Sequence, residues 1–178
     1  MRATRLALSP LAGEQAPALF ELLNDWEVVR MLSDVPWPLR FEDVRSFLES
    51  KHAATEDFIV MADAAPIGVM GIKRPGSGEP PRKMPRLGYW IGRRYWGQGY
   101  ATEAVSMLVE RAFQRHPHDR VGAGIFQDNP RSQRVLEKLG FTPAGTKTTP
   151  SRSRGADVPA IDMQITRAEW AARRARQT

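Results

Sequence analysis

Tyr89-Trp90-Ile91-Gly92-Arg93-Arg94-Tyr95-Trp96-Gly97-Gln98-Gly99-Tyr100-Ala101-Thr102-Glu103-Ala104 is the stretch on which the fold turns. Leu87 to Ile91 is a short apolar run closed by glycine and reads as a strand. Past Gly99, the residues Ala101, Ala104, Val105, Leu108 and Ala112 recur at helical spacing and share one face. The Gly92–Gly99 loop therefore carries a strand straight into the N-terminus of an amphipathic helix. The first N–H groups of a helix have no internal partner, and the macrodipole adds partial positive charge there. Glycines at 97 and 99 let backbone approach an anion with no Cβ in the way. The stretch reads as a phosphate site, although a tight turn alone would also account for both glycines.

Three phosphate patterns compete for this loop. A P-loop requires Gly-Lys-Ser/Thr at the helix start, and here Tyr100 follows Gly99. The dinucleotide fingerprint wants a small third residue where Thr102 stands and an acid closing the next strand, whereas Asp119 precedes it. A dinucleotide-binding protein is therefore the weaker alternative. The pattern Arg/Gln-x-x-Gly-x-Gly/Ala is met in full by Arg94 to Gly99.

Working outward, Thr4 to Leu8 predicts a first strand ending at Ser9-Pro10. Ala18, Leu19, Leu22, Leu23, Trp26 and Val29 fit one helical stripe, which Pro36-Trp37-Pro38 breaks before a second helix from Phe41. Phe58–Ala62 and Ile67–Ile72 read as a hairpin around an Asp63–Pro66 turn, and Pro75–Pro85 as a surface loop. After a strand at Arg120–Phe126, Asn129-Pro130 supplies an N-cap and a first-turn proline. Gly140 and Phe141 close that helix in the pattern of a glycine C-cap. Strands at 141–148 and 158–165 follow, around a flexible basic loop at Pro150–Ala156. Residues 1–167 are expected to form a single domain, with 168–178 a basic tail that reads as a frayed helix from Trp170.

The 178 residues suit one domain with a real core. Having no cysteine, the chain excludes disulfides, thiolate metal sites and thiol catalysis. Its three histidines lack metalloprotease spacing, so no metal is expected. No apolar run approaches the roughly 20 residues of a membrane span, and no signal peptide is evident, so a cytoplasmic protein without membrane contact is expected. The net charge of +6 is dispersed and carries no nucleic-acid motif, so no nucleic-acid partner is expected. It would also repel a polycationic ligand unless acids line the pocket.

The phrase Tyr95 to Ala104, together with Asn129-Pro130-Arg131-Ser132 and Val135-Leu136-Glu137-Lys138-Leu139-Gly140-Phe141 downstream, resembles the GNAT superfamily of N-acetyltransferases and its RimJ/RimL-like branch. The resemblance implies an α/β fold: a mixed, mostly antiparallel central sheet with helices on both faces. It implies acetyl-CoA as co-substrate and an amine as acceptor, either a protein N-terminal α-amine or a small-molecule amine. The N–H groups of Gly97, Gln98, Gly99, Tyr100, Ala101 and Thr102 would cradle the pyrophosphate, with Arg94 adding charge. Trp90 and Ile91 would offer strand backbone to the pantetheine arm, beside a splay between the strands at 87–91 and 120–126. Asn129 would bond a pantetheine amide, and Ser132 would contact the cofactor's sulfur and protonate the departing thiolate. A homodimer is compatible with this reading.

Many relatives carry a glutamate just before the Gly-Tyr-Trp equivalent, where this chain has Met84-Pro85-Arg86-Leu87. That leaves the general base unassigned, with Asp34 and Glu79 in loops and Glu103 read as a helix-start carboxylate. An α-amine, with pKa about 7.7–8.0, is partly neutral near pH 7, whereas lysine at about 10.4 is not. The missing acid thus favours a low-pKa amine attacking acetyl-CoA directly in a ternary complex. A non-catalytic acyl-CoA-binding sensor or interaction module is the alternative reading.

Overall fold

The computed structural model describes residues 5–50, 55–76, 83–115 and 117–176. Thr4, His52, His116, the 77–82 part of the surface loop with Glu79, and the last two residues lie outside the described residues. Seven strands, β1 (Leu6–Pro10), β2 (Thr55–Ala62), β3 (Ala65–Lys73), β4 (Arg86–Ile91), β5 (Arg120–Phe126), β6 (Thr142–Ser151) and β7 (Ala156–Thr166), form one sheet in the order β1-β2-β3-β4-β5-β7-β6. Every neighbouring pair is antiparallel except β4 with β5. The helices are α1 (Ala16–Leu23), α2 (Trp26–Val29), α3 (Phe41–Glu49), α4 (Tyr100–Arg115), α5 (Pro130–Lys138) and α6 (Arg167–Ala175). This is the expected mixed, mostly antiparallel sheet with helices on both faces.

Strand alternation divides the apolar residues between two cores. On one face Leu87, Ile91, Val121 and Ala123 meet Val105 and Leu108 of α4, Leu136 of α5 and Trp170 of α6. On the other, Ile59 and Val69 meet Leu19, Leu22, Val29 and Val44 from the first three helices. Leu108 is fully buried, and truncating such a leucine to alanine costs about 2–5 kcal/mol. Among the described residues no helix is long and apolar enough to cross a membrane.

Several local readings need correction. The stripe from Ala18 to Val29 is two helices, because Asp25 sits extended and its carboxylate accepts the Glu27 N–H at 2.9 Å, starting α2 afresh. The hairpin turn is only Asp63-Ala64, both at positive φ (48° and 63°), so Pro66 belongs to β3. The 150–156 stretch is not a flexible loop. β6 and β7 run on to a tight turn at residues 152–155 that docks on the segment after α2. The Arg152 N–H donates to Ser33 O at 2.9 Å, and Arg154 Nε donates to Arg30 O at 2.8 Å.

At the other end, the helix expected to fray from Trp170 begins earlier, at Arg167, and runs to Ala175 as α6. Thr166 and Glu169 make a reciprocal capping box, and the buried Trp170 indole donates to Glu110 at 3.0 Å. The α5 helix closes as its sequence predicts. Gly140 sits at φ 91°; its N–H reaches Glu137 O at 2.9 Å, and the Phe141 N–H reaches Leu136 O at 3.0 Å.

Candidate active site

The sheet opens at its one parallel junction. Pairing between β4 and β5 covers only Arg86 with Gly122 and Leu87 with Ala123, although β4 continues to Ile91 and β5 to Phe126. The Gly92 N–H donates to Ile67 O on β3 at 2.9 Å. Backbone alternation then turns the peptide groups of Tyr89 and Ile91 the other way, into the gap. The side chains of both predicted strand residues serve the cores: Trp90 leans on the α1–α3 side, and Ile91 is buried under α4.

The Gly92–Gly99 loop leaves β4 at the mouth of this gap. Residues 93–95 make one 3-10 turn, Gly97 and Gly99 adopt φ of 77° and 86°, and α4 begins at Tyr100. The first helical bond runs from the Glu103 N–H to Gly99 O at 3.1 Å, so the N–H groups of Tyr100, Ala101 and Thr102 are spared by the helix itself. Nothing stands within 4 Å of where a Gly97 Cβ would be, and Gly97, Gln98 and Gly99 are all exposed. Open space, spared donors and the helix dipole together fit a pyrophosphate.

The loop is braced on three sides. The Trp96 indole donates to Ile91 O at 2.7 Å, with the Arg131 guanidinium 4.7 Å from its ring centre. Gln98 Nε2 donates to Arg94 O at 3.1 Å, while the exposed Arg94 lies along the Tyr95 ring. Arg93 faces Asp25 at 3.7 Å instead. Arg5, which no motif singled out, bonds Gln98 O at 3.1 Å, pairs with Glu103 at 3.3 Å and covers the Tyr100 ring. Glu103 is thus occupied as a brace.

Asn129 and Ser132 come together at the start of α5. Asn129 Oδ1 accepts the Ser132 N–H at 3.1 Å, a true N-cap that leaves the Asn129 amide nitrogen as a donor. The Ser132 hydroxyl lies 2.6 Å from the Tyr89 phenol. Burial pushes the Tyr89 pKa up to about 12, against the lowering effect of that hydrogen bond. The phenol therefore stays protonated at neutral pH and can donate to Ser132, freeing the serine proton for a third atom. Tyr89 belonged to the quoted stretch, and its parity with Leu87 and Ile91 was the signal that it turns towards α4 and α5.

No carboxylate stands on β4. Arg86 bonds Asp162 on β7, which Lys147 also approaches at 3.0 Å. Partial burial works against the Asp162 charge, but both cations prevail and hold its carboxyl below the usual range. Asp34 pairs with Lys73 at 3.2 Å.

The glycine loop and the opened parallel junction coincide with a sequence match: residues 5–142 match the family described as "Acetyltransferase (GNAT) domain". The chain belongs to the GNAT acetyltransferase family. This GNAT chain is similar to the uncharacterized N-acetyltransferase p20 of Bacillus licheniformis, 25% identical over 177 residues, covering 94% of this chain and 96% of that one. The ribosomal-protein-serine acetyltransferase of Escherichia coli (strain K12) is 30% identical over 84 residues, 47% of this chain and 45% of that one. The solved structure of aminoglycoside acetyltransferase AAC(6')-Ib in complex with coenzyme A matches with a TM-score of 0.78 and 26% identity, covering 95% of this chain and 99% of that one.

Proposed function

We propose that this GNAT acetyltransferase holds acetyl-CoA on the 97–102 loop, with its thioester in the β4–β5 gap, and passes the acetyl group directly to a low-pKa amine. The observation that carries the reading is the gap itself, entered beside a spared helix N-terminus and edged by the Tyr89–Ser132 pair. The N–H groups of Gly97, Gln98, Gly99, Tyr100, Ala101 and Thr102 hold the pyrophosphate, with Arg94 adjacent. The gap-facing backbone of Ile91 and the Asn129 amide align the pantetheine, whereas the Trp90 peptide, expected to share that role, is turned to Val69 on β3. The neutral amine attacks the carbonyl carbon, and a gap-facing N–H near Ile91 receives the oxyanion. As the C–S bond breaks, Ser132 gives its proton to the sulfur and is reprotonated from solvent, while the amine's surplus proton leaves to water.

A RimJ/RimL-like assignment, with a protein N-terminus as acceptor, draws support from the similarity to the E. coli ribosomal-protein enzyme. A small-molecule amine draws equal support from the aminoglycoside enzyme. Thiol release from acetyl-CoA, followed across N-terminal peptides, amino sugars and simple amines, tests both. Turnover with at least one amine is expected, and silence across the panel while coenzyme A still binds would mean a binding-only protein.

A further inference from the structure

The start of α4 spares the N–H groups of Tyr100, Ala101 and Thr102, yet the next residue, Glu103, sets a carboxylate in the same first turn. A negative charge there favours the helix, but it repels any second anion brought to that N-terminus. The charge is answered from outside the helix. Arg5, just ahead of β1, gives its backbone N–H to Glu103 Oε1 at 2.6 Å and its Nε–H to Oε2 at 3.3 Å. The Glu103 side chain is 23% exposed and that of Arg5 54%, so the acid is turned in on its partner while the guanidinium faces solvent.

The same guanidinium reaches the glycine loop. Its Nη2 donates to Gln98 O at 3.1 Å and stands 3.5 Å from where a Gly99 Cβ would be. In the trans 98–99 peptide that oxygen points opposite to the Gly99 N–H. Fixing the oxygen on Arg5 therefore aims the Gly99 N–H away from Arg5, and a charged donor on the oxygen polarises that N–H for an acceptor beyond it. The neighbouring cations have other contacts: Arg94 lies along the Tyr95 ring, and Arg93 faces Asp25.

Building on the 97–102 loop as the place where the pyrophosphate is held, we infer that Arg5 is a positioning residue for acetyl-CoA. It cancels the Glu103 charge beside the phosphates and aims the Gly99 N–H at them. The bond from its backbone N–H to Glu103 keeps β1 docked whatever side chain stands at position 5. The cofactor site is thus completed by a residue 93 positions ahead of the loop it serves.

Isothermal titration with coenzyme A tests this in the wild type, Arg5→Met, Arg5→Lys and Glu103→Gln, with the melting temperature of each unliganded protein as the check on folding. Arg5→Met keeps an apolar stem over Tyr100 but loses the charge, and its dissociation constant should rise about tenfold. Arg5→Lys restores the charge without the fork and should return to within about threefold of the wild type. Glu103→Gln keeps an acceptor for Arg5 and removes the acid, so coenzyme A should bind at least as tightly as to the wild type. With any amine that turns over, Arg5→Met should raise KM for acetyl-CoA by a similar factor and leave kcat within about threefold. A purely structural brace would instead weaken binding in Glu103→Gln as in Arg5→Met. That pattern, or an Arg5→Met protein that binds coenzyme A like the wild type, overturns the role of Arg5 and leaves the loop assignment standing. If Arg5→Met does not fold, the sign of the Glu103→Gln effect decides. A wild type that does not bind coenzyme A overturns the loop assignment and this inference with it.

Discussion

The Tyr89 phenol and the Ser132 hydroxyl, on a strand and a helix 43 residues apart, lie within 2.6 Å of each other. Burial keeps the phenol protonated, so its natural role in the pair is donor, and Ser132 is left to donate onward. If Ser132 protonates the leaving sulfur, Ser132→Ala should lower turnover by roughly 10²–10⁴-fold with little change in coenzyme A affinity. The stability cost should stay near 1 kcal/mol, because Asn129 and not Ser132 caps α5. Tyr89→Phe keeps the ring packing and removes only the donor, so its loss of turnover should be the smaller. Turnover and melting temperature on the same two variants decide the matter, and normal turnover in Ser132→Ala would remove it from the mechanism.

Gly99→Val should fold yet bind coenzyme A at least about tenfold more weakly, a loss of ~1.4 kcal/mol or more. A β-branched residue strains at φ 86°, and its Cβ would stand 3.5 Å from the Arg5 guanidinium that braces the loop. Isothermal titration with coenzyme A measures this directly. An unchanged dissociation constant in a folded variant would put the phosphates elsewhere.

What could be read in advance was what is local. The cap at Asn129 and the closure at Gly140-Phe141 depend on residues within one helix, and both appear as the sequence implied. So does the strand-to-helix change across Gly92–Tyr100. The stripe from Ala18 to Val29 misled because apolar period is blind to a cap: Asp25 restarts the helix without disturbing the pattern. The 152–155 turn looked mobile because its partners, the carbonyls of Arg30 and Ser33, lie more than a hundred positions away. Arg5 is likewise tied to Glu103 across 98 positions.

Coenzyme A should raise the melting temperature, and NAD and ATP should not. The loop offers spared N–H groups at Tyr100, Ala101 and Thr102, but no P-loop lysine and no acid closing β5. At a hundredfold excess over its dissociation constant a ligand adds about 2.7 kcal/mol. For a chain of this size that is a shift of roughly 5–10 °C. A shift with NAD alone would overturn the assignment of the loop.

A clamp of two arginines on one carboxylate fixes the β6–β7 turn. Arg154 donates to Asp128 at 2.9 and 3.1 Å, Arg30 reaches the same carboxylate at 2.9 Å, and Arg154 also bonds the Arg30 carbonyl. Partial burial opposes the Asp128 charge, but the Arg154 hydrogen bond and the two guanidinium charges prevail, so its carboxyl is held below the usual value. A carboxyl whose folded pKa is depressed adds stability in full above the unfolded value, about 3.9, and loses it as pH falls through the folded one. The Asp128 side chain is 43% exposed, so solvent screening limits its contribution to about 1 kcal/mol. Asp128→Asn should therefore lower the melting temperature at pH 7 by about 2–4 °C. The gap between wild type and variant should close as the buffer is taken below about pH 3.9, where the wild-type carboxyl also gains its proton. Melting curves for both proteins from neutral to acid pH measure it, and a gap that stays constant or widens on acidification would show that the clamp does not depend on the Asp128 charge.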